Sequence, residues 1–368
     1  MIRVLKWAAS ITAALLVSSP LLRAQDLLSK MDQYMKVCET ADHFMGSVLV
    51  ARHGKVILSQ GYGWRNVKLQ IPDTPETEFP IASITKEFTA MAILELQEQG
   101  KLNVQDPVCQ YVPNCPAAWA PITLSELLTH TSGIPDFAEL PSYTAIQARL
   151  LSPPEVVRLF ENQPLAFKPG KKFSYSNSGY VLLGIVIERA SGQSYPEYLA
   201  KNIFAPLGMA HTGYDGNDPL ARDRARGYVF SSRRYTPAQS VAMTNLFSAG
   251  ALYSTVEDLY KWDRAVESGK LIPPKLRDEM LAPQVSMGKS GEFHYGFGWI
   301  ISTEFGQKEI SHGGGVQGFT SLNAWFPHAG TYIIVLDNST VPPPTVSDIS
   351  QALAAILFRQ PYRFPGNP

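Results

Sequence analysis

The stretch FPIASITKEFTAMAIL (79–94) carries the decision about both fold and chemistry. Its centre sets the Ser83 hydroxyl and the Lys86 amine three residues apart, just after Pro80. From Ser83 to Gln99 the pattern is helical, and Gly100 is a stop signal. Positions i and i+3 share a helix face, so the two side chains can meet. Ser83 at a helix start has a free backbone N–H and the positive end of the dipole beside it. Ile84 and Phe88 imply partial burial, which moves a lysine toward its neutral, basic form. The competing reading is a plain N-cap serine with a surface lysine. S-x-x-K recurs at Ser286 to Lys289, in a Gly/Ser loop with no helix to fix it. The motif alone therefore does not decide.

The surrounding chain sets bounds. Hydrophobic residues make up 45% and charged residues 17% of the 368 positions, a globular composition. Lys+Arg and Asp+Glu both number 32, which leaves no basic surface for nucleic acid. Arg3, Lys6, the apolar run 7–17 and Leu22-Arg23-Ala24 read as a signal peptide over 1–24, cleaved before Gln25. The apolar run is short for a bilayer span, which takes about 20 residues. These features imply a periplasmic or secreted protein with no stable membrane span after cleavage; the competing reading is an uncleaved anchor. Disulfides persist outside the cytosol. Cys109 and Cys115 bracket QYVPN, a turn-favouring segment, and either close a local disulfide or stay as two buried thiols. Cys38 is left as a buried thiol. No second ligand pair stands at a zinc-like spacing, so no metal is expected.

Further out, β-rich runs and helices segregate. GSVLVARHGKVILSQGYG (46–63) reads as a hairpin around Arg52 to Lys55, after an amphipathic helix over 25–37. Thr123 and Glu126 form a capping box. NSGYVLLGIVIERASG (177–192) is apolar nearly all round, hence a buried helix. A further helix begins after Ser254 or Thr255. After about Phe293 come two hairpins, the second turning at 327–330, then a helix over 346–358. The expected class is α+β: one antiparallel sheet from both chain ends, flanked by terminal helices, with a mainly helical lobe inserted. The folded domain then spans 25–368, its α/β part being 25–80 plus 290–368 and its helical part 81–289.

Two more motifs bear on Ser83. Tyr175-Ser176-Asn177 directly precedes the buried helix, and in an extended stretch residues i and i+2 face the same way. His312-Gly313-Gly314-Gly315 ends an expected strand, where glycines let backbone approach a ligand. H-x-G also occurs at His211 and His328, without that strand context. There is no G-x-S-x-G, H-E-x-x-H or Walker-type loop.

In order, Ser83-x-x-Lys86, Tyr175-x-Asn177 and His312-x-Gly314 resemble the three motifs of the serine β-lactamase-like family. That family includes class C β-lactamases, D-alanyl-D-alanine carboxypeptidases, D-aminopeptidases and esterases. The likeness extends to LLTHTSGIP (127–135), PLGMAHT (206–212), AGALYSTVEDLYKW (249–262) and YGFGW (295–299), and spans about 26–358. It implies that Ser83 is an acylated nucleophile and that Lys86 and Tyr175 share the acid and base work. Asn177 would hold the substrate amide. His312 and Gly314 would line the cleft, and the Gly315 N–H would complete an oxyanion hole with that of Ser83. No cofactor is implied, and the partner is a small-molecule or peptide substrate. Class C β-lactamases usually carry lysine where His312 stands, and a histidine is mostly neutral at pH 7. The expectation is therefore an exported serine hydrolase acting on an ester or amide, such as a D-amino-acid peptide. The alternatives are a β-lactamase and a non-catalytic penicillin-binding-like protein. His130 is expected to be structural.

Overall fold

A computed structural model describes residues 20–41, 44–217, 223–340 and 343–365. Most of the leader read over 1–24 lies outside them; the first helix, α1 (Pro20–Thr40), runs through the expected cleavage point. Eight antiparallel strands form the central sheet. They are β1 (Gly46–Arg52), β2 (Lys55–Tyr62), β3 (Val285–Ser286), β4 (His294–Tyr295), β5 (Ile300–Glu304), β6 (Gln307–Val316), β7 (Phe319–Phe326) and β8 (Thr331–Asp337). Their order across the sheet is β3-β4-β5-β6-β7-β8-β1-β2. The first and last long strands are thus neighbours, with Gly46 opposite Asp337 and Arg52 opposite Thr331.

Both faces of β1 are buried, because helices cover the sheet on each side. Val48 and Val50 face one way, toward Met31 and Met35 of α1 and Leu353 of the C-terminal helix α5 (Val346–Phe358). Leu49 and Ala51 face the other way, into the larger core shared with the helical lobe. This is the period-2 alternation of a strand, here apolar on both sides. Among the described residues no helix is long and apolar enough to cross a membrane.

Three lobe helices matter for the site: α2 (Thr85–Glu98), α3 (Asn177–Ser191) and α4 (Val256–Ser268). α2 is buried from Thr85 to Leu96 and forms the spine of the lobe. Gly192 in the left-handed conformation ends α3, and Thr255 caps α4 by accepting the Asp258 N–H. The anticipated hairpin at 52–55 and the helix over 346–358 fall where the sequence put them. The sheet is joined five residues before 290, through the two-residue strand β3.

Candidate active site

The site is built around the turn that leads into α2. Residues Ala82–Ile84 form a 3-10 turn, and α2 proper starts at Thr85 with no side-chain cap. Ser83 thus lies before the helix rather than at its first position, and the plain N-cap reading fails. The turn still brings Lys86 Nζ to 3.1 Å from Ser83 Oγ. Ala82 has φ 45°, a left-handed conformation that costs a residue with a Cβ. His130 (φ 57°) and Phe247 (φ 42°), which also flank the site, likewise have positive φ. Such strain persists only where packing over-determines the backbone, and it clusters at functional sites.

Lys86 is fully buried. Its Nζ lies 2.8 Å from Asn177 Oδ1 and 2.7 Å from the Ala249 carbonyl. Asn177 opens α3, and its amide is oriented from behind: Nδ2 donates to Asp136 Oδ2 at 2.8 Å, which leaves Oδ1 for the lysine. Burial brings the Lys86 amine down to about 7, against the opposing pull of the Asp136 carboxylate. Two of its three neighbours, an amide oxygen and a backbone carbonyl, can only accept. A neutral amine fills them with its two N–H bonds and turns its lone pair to the third, the Ser83 hydroxyl. Ser83 is the one neighbour that can donate.

Tyr175 stands two residues before α3, its ring 4.8 Å from Lys86 Nζ. Burial pushes its phenol well above the usual range, partly offset by a hydrogen bond with Ser83. It remains a neutral O–H while Lys86 titrates. The His130 ring lies 4.2 Å from that of Tyr175, and His130 Nδ1 accepts the Ser176 N–H at 3.1 Å. The proton therefore sits on Nε2, which is buried and has no hydrogen-bond partner among the described residues. Burial and the nearby Lys86 keep this imidazole neutral. His130 supports Tyr175 from below, as expected of a structural residue.

The third motif differs from the sequence reading. His312 does not end its strand: β6 continues through the glycines to Val316. Nor does His312 present its ring to the cleft, being only 3% exposed. Nδ1 lies 2.6 Å from the Gly313 carbonyl, so it carries the proton and donates there. Nε2 lies 2.9 Å from the Tyr295 hydroxyl and accepts from it. Burial, with the Lys86 charge, pulls this histidine down to about 3. It backs the site instead of lining it. Gly314 likewise serves packing: a Cβ there would lie 2.2 Å from the Ile81 carbonyl oxygen, just before the Ser83 turn. Gly315 differs, since a Cβ there meets nothing within 4 Å. β5 stops pairing at Ser311, so beyond it the outer edge of β6 has no strand partner among the described residues. Asp136, Ala249 and Tyr295 were not singled out as site residues. Tyr295 lies in the YGFGW segment and Asp136 closely follows HTSGIP, whereas the Ala249 contribution is a backbone carbonyl with no side-chain signal. Elsewhere, Cys109 and Cys115 are joined by a disulfide, and Cys38 is a buried free thiol. The second S-x-x-K serine, Ser286, is exposed and donates to the Gly288 carbonyl.

An antiparallel sheet packed on a helical lobe, with a Ser-x-x-Lys turn held against a glycine-bearing strand, defines the serine β-lactamase and transpeptidase-like fold. A family model described as Beta-lactamase matches residues 32–357, and the chain belongs to that family. Penicillin-binding protein 4* of Bacillus subtilis (strain 168) is 31% identical over 342 residues, covering 88% of this chain and 75% of the relative. Among solved structures, the octameric penicillin-binding protein homologue from Pyrococcus abyssi is 32% identical with a TM-score of 0.80, covering 90% of this chain and 78% of the other. A D-amino acid amidase from Ochrobactrum anthropi SV3 shares the fold at 22% identity and a TM-score of 0.78, over 92% of this chain and 99% of the other.

Proposed function

We propose that this protein is a serine hydrolase that cleaves an ester or amide through an acyl-enzyme on Ser83. The observation that carries the reading is the setting of Lys86. It is buried, brought to about 7, and donates to two groups that can only accept, so its lone pair is aimed at the Ser83 hydroxyl. In the reaction, Ser83 Oγ attacks the carbonyl carbon and its proton passes to Lys86 Nζ. Backbone N–H groups of Ser83 and Gly315 hold the oxyanion. Tyr175 gives its phenolic proton to the leaving oxygen or nitrogen as the bond breaks and recovers one from Lys86. Water then hydrolyses the acyl ester by the same groups in reverse. A D-amino-acid peptide or small ester suits this machinery, and the similarity to penicillin-binding proteins supports the former. The leader read in the sequence and the Cys109–Cys115 disulfide support a periplasmic or secreted location.

A β-lactamase is the second reading, and His312 weighs against it. Where class C β-lactamases usually carry a lysine, this chain has a neutral, buried imidazole with both nitrogens engaged. Slow nitrocefin turnover is expected. The test compares wild type with Ser83→Ala using a fluorophosphonate and a fluorescent penicillin. Fluorophosphonate labelling lost in the variant is the expected result. Wild type that takes neither label, or label that survives Ser83→Ala, overturns the assignment.

A further inference from the structure

A cavity of about 840 Å³ lies past the Val316 end of the candidate site, reached through chain neighbours of the site rather than lined by Ser83 itself. Pro80, three residues before Ser83, and Val316, next to Gly315, both line it. Its position along β6 gives it a direction. His312 marks the end of the site near Tyr175 and Lys86, and Val316 lies four residues on, about 13 Å at a rise of about 3.3 Å per residue. A leaving group must sit by Tyr175 to receive its proton. The acyl chain on Ser83 then extends the other way, toward Val316 and into this cavity.

The lining combines apolar groups with an excess of cations. Val67, Leu69, Val241, Met243 and Phe319 supply the apolar surface. The charged lining residues are Lys68, Arg224, Arg226 and Asp215. Arg224 and Asp215 are already matched. The arginine is 3.1 Å from Asp215 and 3.4 Å from Glu78, and lies 3.6 Å over the Tyr253 ring. The neighbouring Asp223 is taken by Arg65 at 3.3 Å. Lys68 and Arg226 are exposed and, among the described residues, form no ion pair. Two cations with no ion pair among the described residues, beside a cavity with an apolar stretch in its lining, favour one acyl group: an apolar stem that ends in an anion.

We propose that this cavity is the acyl subsite and that Lys68 and Arg226 select an acyl donor carrying a carboxylate on its chain. The proposal rests on the acyl-enzyme reading of Ser83, and its test separates the two. Matched esters are compared at low salt: mono-p-nitrophenyl glutarate and p-nitrophenyl valerate. Two solvent-facing cations support a kcat/KM preference of about tenfold for the glutarate, shrinking as salt is added. The double variant Lys68→Gln, Arg226→Gln brings the ratio toward one, and Lys68→Arg, Arg226→Lys retains it. Both positions are exposed, so the variants fold. Wild type that turns over both esters without preference overturns the anion subsite and leaves the Ser83 reading standing. A preference that survives the double glutamine variant overturns the assignment to these two residues. A second measurement needs no ester turnover. Glutaramate should slow fluorophosphonate labelling of Ser83 about tenfold more than valeramide at equal concentration, and equal protection overturns the subsite. Absence of labelling altogether sinks the Ser83 reading instead.

Discussion

In the proposed reaction, the buried amine of Lys86 ties activity to pH. Its folded value of about 7 lies well below that of a lysine in an unfolded chain, about 10.4. As a base it must be neutral, so kcat/KM should rise with pH and level off above about 7. Lys86→Arg, with a permanent charge, should lose that limb and at least about 10²-fold in rate. A pH–rate profile of both proteins checks this, and an unchanged limb in the variant would remove Lys86 as the titrating group. The same shift acts on stability. Between about 7 and 10.4 the unfolded chain binds a proton that the folded one lacks, so this residue adds stability as pH rises through that window. Below it, the buried ammonium costs its full desolvation. The apolar, nearly isosteric Lys86→Met should therefore gain stability relative to wild type most clearly at pH 6. Ser83 and Lys86 were legible because a three-residue spacing survives the replacement of a helix start by a 3-10 turn. Asp136 and the Ala249 carbonyl were not, because both come from segments remote in sequence: one orients Asn177 from behind, and the other is a backbone group.

Among the elements, β6 carries adjacent glycines with different jobs. A methyl at Gly314 would meet the Ile81 carbonyl oxygen at 2.2 Å and Ser321 Oγ at 2.4 Å, so strand and turn would have to separate. Gly314→Ala should cost about 1–3 kcal/mol, the scale of overpacking. It should also depress kcat by displacing Ser83. At Gly315 the methyl enters open space, so Gly315→Ala should leave the denaturation midpoint within about 0.5 kcal/mol of wild type. There it narrows the cleft and should raise KM. Urea melts with steady-state kinetics distinguish the two, and equal destabilisation would contradict the packing described. The sequence announced this strand by its glycines but misread what they do. A glycine run suggests a strand end, yet here it lets the strand continue against the Ser83 turn. The long strands and α5 were readable from apolar alternation and capping. The two-residue strands β3 and β4 are too short to show a period, which hid Tyr295 as the partner of His312.

Across the whole molecule, buried acids set a second and opposite pH dependence. Glu87 on α2 accepts from Trp262 Nε1 at 2.7 Å and from Asn323 Nδ2 on β7 at 3.2 Å; Asn323 also donates to Asp263 on α4 at 2.7 Å. Two carboxyls thus meet where α2, α4 and the sheet join, with no cation among these contacts. Burial drives Asp263 up to about 8 and Glu87 well above its usual range, the latter also repelled by Asp263. Burial likewise raises Asp337 and Glu95 to about 8, and lifts Asp73 well above the carboxylate range. Such groups hold a proton when folded and release it when unfolded above about pH 4. Their contribution is complete below that value and is lost as pH rises through about 8. The Lys86 effect begins only near 7. Stability should therefore decline from pH 5 to about 8, by about 4–6 °C in Tm if a few kcal/mol are lost, and reach its minimum where the candidate base is neutral. Asp263→Asn keeps an acceptor for Asn323 and removes one of these protons, so it should flatten the decline. Calorimetry at pH 5, 6.5 and 8 reads it. A Tm that rises over that range would show these acids ionised in the fold, and the junction would then need a counter-charge that its contacts do not provide.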